Sequence, residues 1–187
     1  MTSVPRHLPS SATHLDLSYN HIPNLSPRDF ENLHSLEELT MWIAGDLHID
    51  SGTFVGLQRL RSLRFLGNGY LTFGKETFKH LSSLQTLEIP IKSVTHMPEY
   101  VFSNLTNLSK LSIRVPAQVK ADYTLLPPSL LRGLRYLEEF SFDGSSLANL
   151  SRESFADSQN LKKVHIELLF LECGQIEILN SLKNLKQ

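Results

Sequence analysis

The sequence predicts an α/β repeat solenoid. Short parallel strands would line one face, with irregular, 3-10 or short helical segments on the other. Two observations carry this reading. Ten residues, FENLHSLEEL from Phe30, return as FVGLQRLRSL from Phe54, FKHLSSLQTL from Phe78 and FSNLTNLSKL from Phe102. They return again as LRGLRYLEEF from Leu131 and FADSQNLKKV from Phe155. The residues that end each copy alternate apolar and polar, the period-2 mark of a short strand with one buried face.

The phenylalanines keep a clock. Phe30, Phe54, Phe78 and Phe102 stand 24 residues apart; Leu131 follows after 29 and Phe155 after 24 more. Leucines follow three and six residues later, as in Leu33 and Leu36 or Leu81 and Leu84. Each period then reads L-x-x-L-x-L: LEELTM, LRSLRF, LQTLEI, LSKLSI, LEEFSF and LKKVHI, after an opening ATHLDL. This is the leucine-rich repeat pattern, whose usual period of about 20–29 residues contains both spacings. One repeat cannot bury its apolar row alone, so stacked copies form a curved horseshoe with a parallel sheet on its concave side. Phe30, Phe54, Phe78, Phe102 and Phe155 are expected to form a spine near the convex side.

Seven repeats fit, at 12–35, 36–59, 60–83, 84–107, 108–136, 137–160 and 161–184, after a cap remnant at 1–11. They form a single domain whose pattern breaks off at the C-terminus. The ninth repeat position usually carries Asn, which bonds loop backbone. Here it is Asn20 and Asn68, with Ala44, Lys92, Pro116, Ser145 and Leu169 elsewhere. Distorted loops are therefore expected around IAGDLHID and RVPAQVKADYTLLPPS. The longer fifth repeat places its extra residues in 116–129, where three prolines and Tyr123 suggest a protruding loop.

Composition narrows the function. The chain has 187 residues, 41% hydrophobic and 20% charged, with a formal net charge of -1. That argues against a strongly basic nucleic-acid or membrane-surface binder. No run approaches the ~18–20 apolar residues of a transmembrane helix. The opening MTSVPRHLPSS lacks the apolar core of a signal peptide, so read literally the chain is soluble and not secreted. Cys173 stands alone and cannot form an internal disulfide or a multi-cysteine zinc site. The eight histidines are scattered and read as solvated surface residues. No nucleophile elbow, phosphate loop, metal spacing or paired-carboxylate motif occurs, so neither an enzyme nor a cofactor is expected.

Solenoid ends need covering. The first residues look like the tail of an N-terminal cap, and no C-terminal cap follows. The chain thus reads as a fragment. Four N-x-S/T sequons occur, at Asn24, Asn104, Asn107 and Asn149, and Pro27 weakens the first. With the cap remnant they lean towards an extracellular or endosomal-lumen parent.

The stretch VPRHLPSSATHLDLSYNHIPNLSPRDFENLHSLEEL resembles the first repeats of Toll-like receptor ectodomains. The F-x-x-L-x-x-L spine and 24-residue periods extend the resemblance over about residues 3–187. It implies recognition of a microbial or protein ligand on the concave or a lateral face, and receptor dimerisation in the parent. Leucine-rich adhesion and guidance receptors, small proteoglycans and variable lymphocyte receptors share the grammar. A secreted or cell-surface adhesion or matrix protein without immune signalling, and a non-functional truncated receptor copy, therefore remain alternatives.

On the concave face, positions two, three, five, seven and eight carry eight acidic against six basic residues, which argues against a phosphate-tracking groove. Trp42, Ile43, Leu66, Pro90, Ile91 and Val115 are expected to form an apolar stripe across four strands. Arg64 and Arg114 border it. Trp and Arg are favoured interface anchors, so Trp42, Arg64 and Arg114, with Tyr123 on the long loop, are the candidate ligand contacts.

Overall fold

The computed structural model describes residues 1–92, 97–115, 129–144 and 152–168. Its main sheet has seven parallel strands in the order β1 (His14–Asp16), β3 (Glu38–Ile43), β5 (Ser62–Gly67), β7 (Thr86–Pro90), β8 (Lys110–Arg114), β9 (Glu139–Gly144) and β10 (Lys163–Leu168). A second sheet pairs β2 (Asn24–Leu25), β4 (Leu47–Ile49) and β6 (Leu71–Phe73). The chain is thus a parallel-strand solenoid with two short 3-10 turns, Pro27–Asp29 and Arg152–Phe155, among the described residues.

The register repeats the sequence clock. Glu38 faces Ser62, Ser62 faces Thr86 and Thr86 faces Lys110, each 24 residues on; Lys110 faces Glu139 after 29. The five extra residues therefore lie between β8 and β9, where 116–128 fall outside the described residues, as do Tyr123, Asn149, Cys173 and the C-terminal end of the repeat pattern.

The three-residue leucine clock has a direct cause in hydrogen bonding. Leu33 N donates to Phe30 O and Leu36 N to Leu33 O, both at 3.0 Å. The same pair of i→i+3 turns recurs at Phe54–Leu57–Leu60, Phe78–Leu81–Leu84, Phe102–Leu105–Leu108 and Leu131–Leu134–Leu137. A turn that closes every three residues keeps pointing the same side inward, so every third residue must be apolar. Each of these leucines is at most 2% exposed. With Leu39, Leu63, Leu87, Leu111 and Phe140 from the main sheet, and Leu25, Leu47 and Ile49 from the second, they form one core. Each fully buried large side chain contributes roughly 1.5–3 kcal/mol.

The phenylalanines stack through the core. Phe30–Phe54, Phe54–Phe78 and Phe78–Phe102 lie at ring-centroid separations of 6.2, 6.1 and 5.8 Å. Leu131 interrupts the row, and half-buried Phe155 instead meets Phe140 edge-on at 6.0 Å.

Three expectations change. IAGDLHID is not a distorted loop: Leu47–Ile49 is a regular strand between Asn24–Leu25 and Leu71–Phe73, with Leu47 and Ile49 buried. Each of the first three repeats thus adds a short strand to a second sheet after its main-sheet strand. Asn20 does bond its loop, donating from Nδ2 to Leu17 O and Ser18 O at 3.1 Å. Asn68 does not: it points to solvent between Gly67 and Gly69, and the loop closes through Gly69 N to Ile43 O at 3.0 Å. Finally, position eight faces inward. The chain stays extended past L-x-L, to Ile43 in β3 and to Pro90 and Arg114 in β7 and β8, and the alternation then turns Ile43, Ile91 and Val115 into the core.

Candidate ligand-binding face

The solvent-facing side of the main sheet is built from every second residue of its strands. One row runs His14, Glu38, Ser62, Thr86, Lys110, Glu139, Lys163, and the next runs Asp16, Thr40, Arg64, Glu88, Ser112, Ser141, His165. The proposed apolar stripe shrinks accordingly. Ile43, Pro90, Ile91 and Val115 are buried, Leu66 is half-buried, and Trp42 alone of the six is exposed, at 40%.

Trp42 does not stand alone. Tyr19, 87% exposed, stacks on it with ring centroids 5.9 Å apart and planes 13° from parallel. Tyr19 has φ +59°, a left-handed conformation that few side-chain-bearing residues adopt and that sets its ring outside the strand alternation. Gly67 also lies close to Trp42. A Cβ there would sit 3.0 Å from the indole nitrogen and 2.3 Å from Ile43 O, and the residue has φ +97°. The indole is thus covered by a tyrosine ring and lies close to glycine backbone. Sequence reading placed Tyr19 on this face without singling it out. Its one signal is an aromatic at position eight, where later repeats carry Ile43, Ile91 and Val115.

The two arginines differ. Arg64 is exposed and forms no ion pair among the described residues, although Glu88 faces it in the register. Glu88 instead accepts from Arg114 Nη2 at 2.7 Å, and Asp143 lies 3.8 Å from Arg114 Nε. Arg114 is therefore held between two carboxylates, two strands away from Arg64. The structure brings Trp42 and Arg64 together on neighbouring strands, where Arg64 faces Thr40 and Leu66 faces Trp42. It does not bring Arg114 beside them.

Beyond β8 the face is an ionic lattice. Glu139 accepts from Lys163 at 2.6 Å and lies 3.2 Å from Lys110; Glu138 pairs with Lys162 at 2.7 Å. The Lys163 hydrogen bond, then that from Lys110, holds the Glu139 carboxyl below the usual glutamate range, while Glu139 pushes the Lys163 ammonium up. At the other end, hydrogen bonds from Ser18 lower Asp16. Under Trp42 the surface dips by a notch of only about 20 Å³, between Asn20–Pro23 and Met41–Asp46. Small-molecule sites are typically several hundred Å³. The face thus offers a surface for a large partner rather than an enclosed pocket. Among the described residues, no three His, Cys, Asp or Glu side chains converge as metal ligands would, and no helix is long and apolar enough to cross a membrane.

A stack of parallel strands with a three-residue turn clock and a Phe row defines the class. The chain belongs to the leucine-rich repeat proteins: the family described as BspA type Leucine rich repeat region matches it in six copies over residues 23–162. Among individual proteins, it is similar to Toll-like receptor 9 of Mus musculus, 28% identical over 212 residues that cover 100% of this chain and 20% of that protein. Toll-like receptor 9 of Bos taurus is 29% identical, covering 99% and 20%. Toll-like receptor 7 of Mus musculus is 29% identical, covering 59% and 12%. The chain spans about a fifth of the length of the Toll-like receptor 9 relatives. Human 5T4 (Wnt-activated inhibitory factor 1, trophoblast glycoprotein) shares the fold with a TM-score of 0.71 at 22% identity, covering 89% of this chain and 63% of that one. So does the protein chain of the TLR13-ssRNA13 complex, with a TM-score of 0.58 at 18% identity, covering 83% and 25%. The chain is a leucine-rich repeat recognition module with Toll-like receptor relatives.

Proposed function

We infer that this chain is part of the ectodomain of an innate-immune pattern-recognition receptor of Toll-like kind, facing the extracellular space or an endosomal lumen. It binds a macromolecular microbial ligand without covalent chemistry. The observation that carries this reading is the similarity to Toll-like receptor 9 over the whole chain. The contact region is centred on Trp42 and Tyr19, with Arg64 as the cationic anchor. A rigid, solvent-facing aromatic pair offers contact area with little side-chain entropy left to lose, and an exposed guanidinium without an ion pair among the described residues offers a fork of donors. Arg114 braces the sheet beside this region through Glu88 and Asp143. Tyr123, on the long segment between β8 and β9, remains a candidate second contact.

The test is retention. The chain, displayed on beads, is incubated with fragmented microbial envelopes and, separately, with host extracellular matrix. The reading expects retention of microbial material that falls at least tenfold in Trp42→Ala combined with Arg64→Ala, and survives Lys162→Ala at the far end of the face. Retention of host matrix alone would instead support an adhesion or matrix role.

A further inference from the structure

Four sequons compete for the same modification, and three lie where their side chains can be compared. In the first, Ser26 is already in use: its hydroxyl donates to Asp29 Oδ2 at 3.0 Å, its amide donates to the same oxygen at 2.6 Å, and Pro27 follows. The sequon of Asn107 is tied at both ends. Asn107 Nδ2 donates to Ser82 O at 2.7 Å, and Ser109 Oγ donates to Gln85 O at 3.1 Å. Both acceptors belong to the preceding repeat, so this sequon is stitched across a repeat junction.

That stitch is part of the fold's grammar. Asn160, which precedes Leu161 as Asn107 precedes Leu108, donates to Arg135 O at 2.8 Å. Asn160 is followed by Leu161 and Lys162 and is no sequon. An asparagine at this position therefore has a structural use that owes nothing to glycosylation.

Asn104 has no such use. Asn104 and Thr106 are both exposed, and among the described residues neither side chain makes a hydrogen bond, while Leu105 between them anchors the turn in the core. The matching position of the next repeat is Gly133, where backbone proximity permits no side chain: a Cβ would sit 2.9 Å from Ser103 O. The neighbour on that side thus leaves room. In the repeat after, the same position holds Asp157, whose carboxylate accepts from Gly133 N at 3.0 Å. Asn104 makes no equivalent bridge.

We propose that Asn104 is the N-glycan attachment site of this turn face, and that Asn107 is kept unmodified as an inter-repeat bridge. A sugar on Asn107 would replace a hydrogen on the very nitrogen that bonds the adjoining repeat. A sugar on Asn104 breaks no hydrogen bond among the described residues. It would stand on the turns that precede the main-sheet strands and leave the Tyr19–Trp42 surface open. The biological meaning rests on the extracellular reading above.

The whole chain is routed into the secretory pathway of a mammalian cell line behind an added cleavable signal sequence. Secreted and retained fractions are treated with peptide-N-glycosidase in heavy-oxygen water, and peptide mass spectrometry reads each Asn-to-Asp conversion. The expected result is label at Asn104 and none at Asn107 in both fractions. Asn104→Gln abolishes the label at this turn. Asn107→Gln retains it and lowers the thermal midpoint, as does Asn160→Ala, which touches no sequon. Label at Asn107 in the wild type, a glycan at this turn in Asn104→Gln, or neither residue occupied overturns the proposal. Because the signal sequence is supplied, failure of the receptor reading appears only in the retention assay and leaves this occupancy pattern standing.

Discussion

Tyr19 stacks on Trp42 with ring centroids 5.9 Å apart, and Trp42 is the only tryptophan of the chain. The indole is therefore an intrinsic reporter of the proposed contact surface. Tyr19→Ala removes the cover from one face of the ring and leaves the core untouched. Its emission should shift to the red with little change in unfolding midpoint, because Tyr19 is 87% exposed. An unshifted spectrum would mean the two rings do not stack in solution.

Gly67 lies close to the same ring. With φ +97° and a Cβ position 2.3 Å from Ile43 O, it has no room for a side chain. Gly67→Ala should destabilise by about 1–3 kcal/mol, the usual magnitude for a residue forced into a sparsely populated conformation. Gly45→Ala is the contrast, since nothing lies within 4 Å of its Cβ position. Urea unfolding of the two variants checks the pair. Equal losses would contradict the close approach at Gly67.

The Phe row makes a sharper demand. Phe78 contacts Phe54 at 6.1 Å, Phe102 at 5.8 Å and Phe73 edge-on at 5.1 Å, and is fully buried. Phe78→Ala should cost about 3–5 kcal/mol, from lost burial and the cavity left behind. Phe155→Ala, at the half-buried end of the row, should cost less. Calorimetry of both variants orders them.

Much of this was legible before any coordinates. Phe30, Phe54 and Phe78 and the leucines after them announced the turns, because a chain of i→i+3 turns brings every third side chain to the same inward side. The second sheet left a fainter trace. Leu25, Ile49 and Phe73 also recur at 24 residues, but strands of two or three residues are too short to show alternation. The inward turn of Ile43, Ile91 and Val115 depended on where each strand ends, and hydrogen bonding between repeats sets that. The orientation of Tyr19 depended on one backbone dihedral, which no residue pattern announces. Arg114 looked equivalent to Arg64 in sequence; only the placement of Glu88 and Asp143 separates them.

Charge on the far half of the face gives a pH signature. The Glu139 carboxyl lies below its ordinary value of 4.5 in the folded chain, chiefly through Lys163 and then Lys110. A depressed folded value means the stabilisation is complete above the unfolded value and disappears as pH falls through the folded one. Glu139→Gln should therefore lower the thermal midpoint slightly at neutral pH, with the deficit closing in acid below about 4.5. Added salt should narrow it too, because the groups face solvent. A deficit that persists in acid would assign the loss to packing instead.

Ser158 breaks the repeat at its most buried place. It stands where Leu33, Leu57, Leu81, Leu105 and Leu134 stand, closing the same turn through its amide to Phe155 O at 3.0 Å. The residue is 4% exposed, and among the described residues its hydroxyl has no hydrogen-bond partner. A buried polar atom left unpaired costs about 1–3 kcal/mol, so Ser158→Ala should raise the unfolding midpoint although it removes an atom. Ser158→Leu should raise it further if the cavity matches the other repeats, since a fully buried leucine contributes roughly 1.5–3 kcal/mol. The two variants together measure the site. A gain for alanine with a loss for leucine would show a space narrowed around the serine. A loss for alanine would show that the hydroxyl is bonded in solution and stabilises the turn.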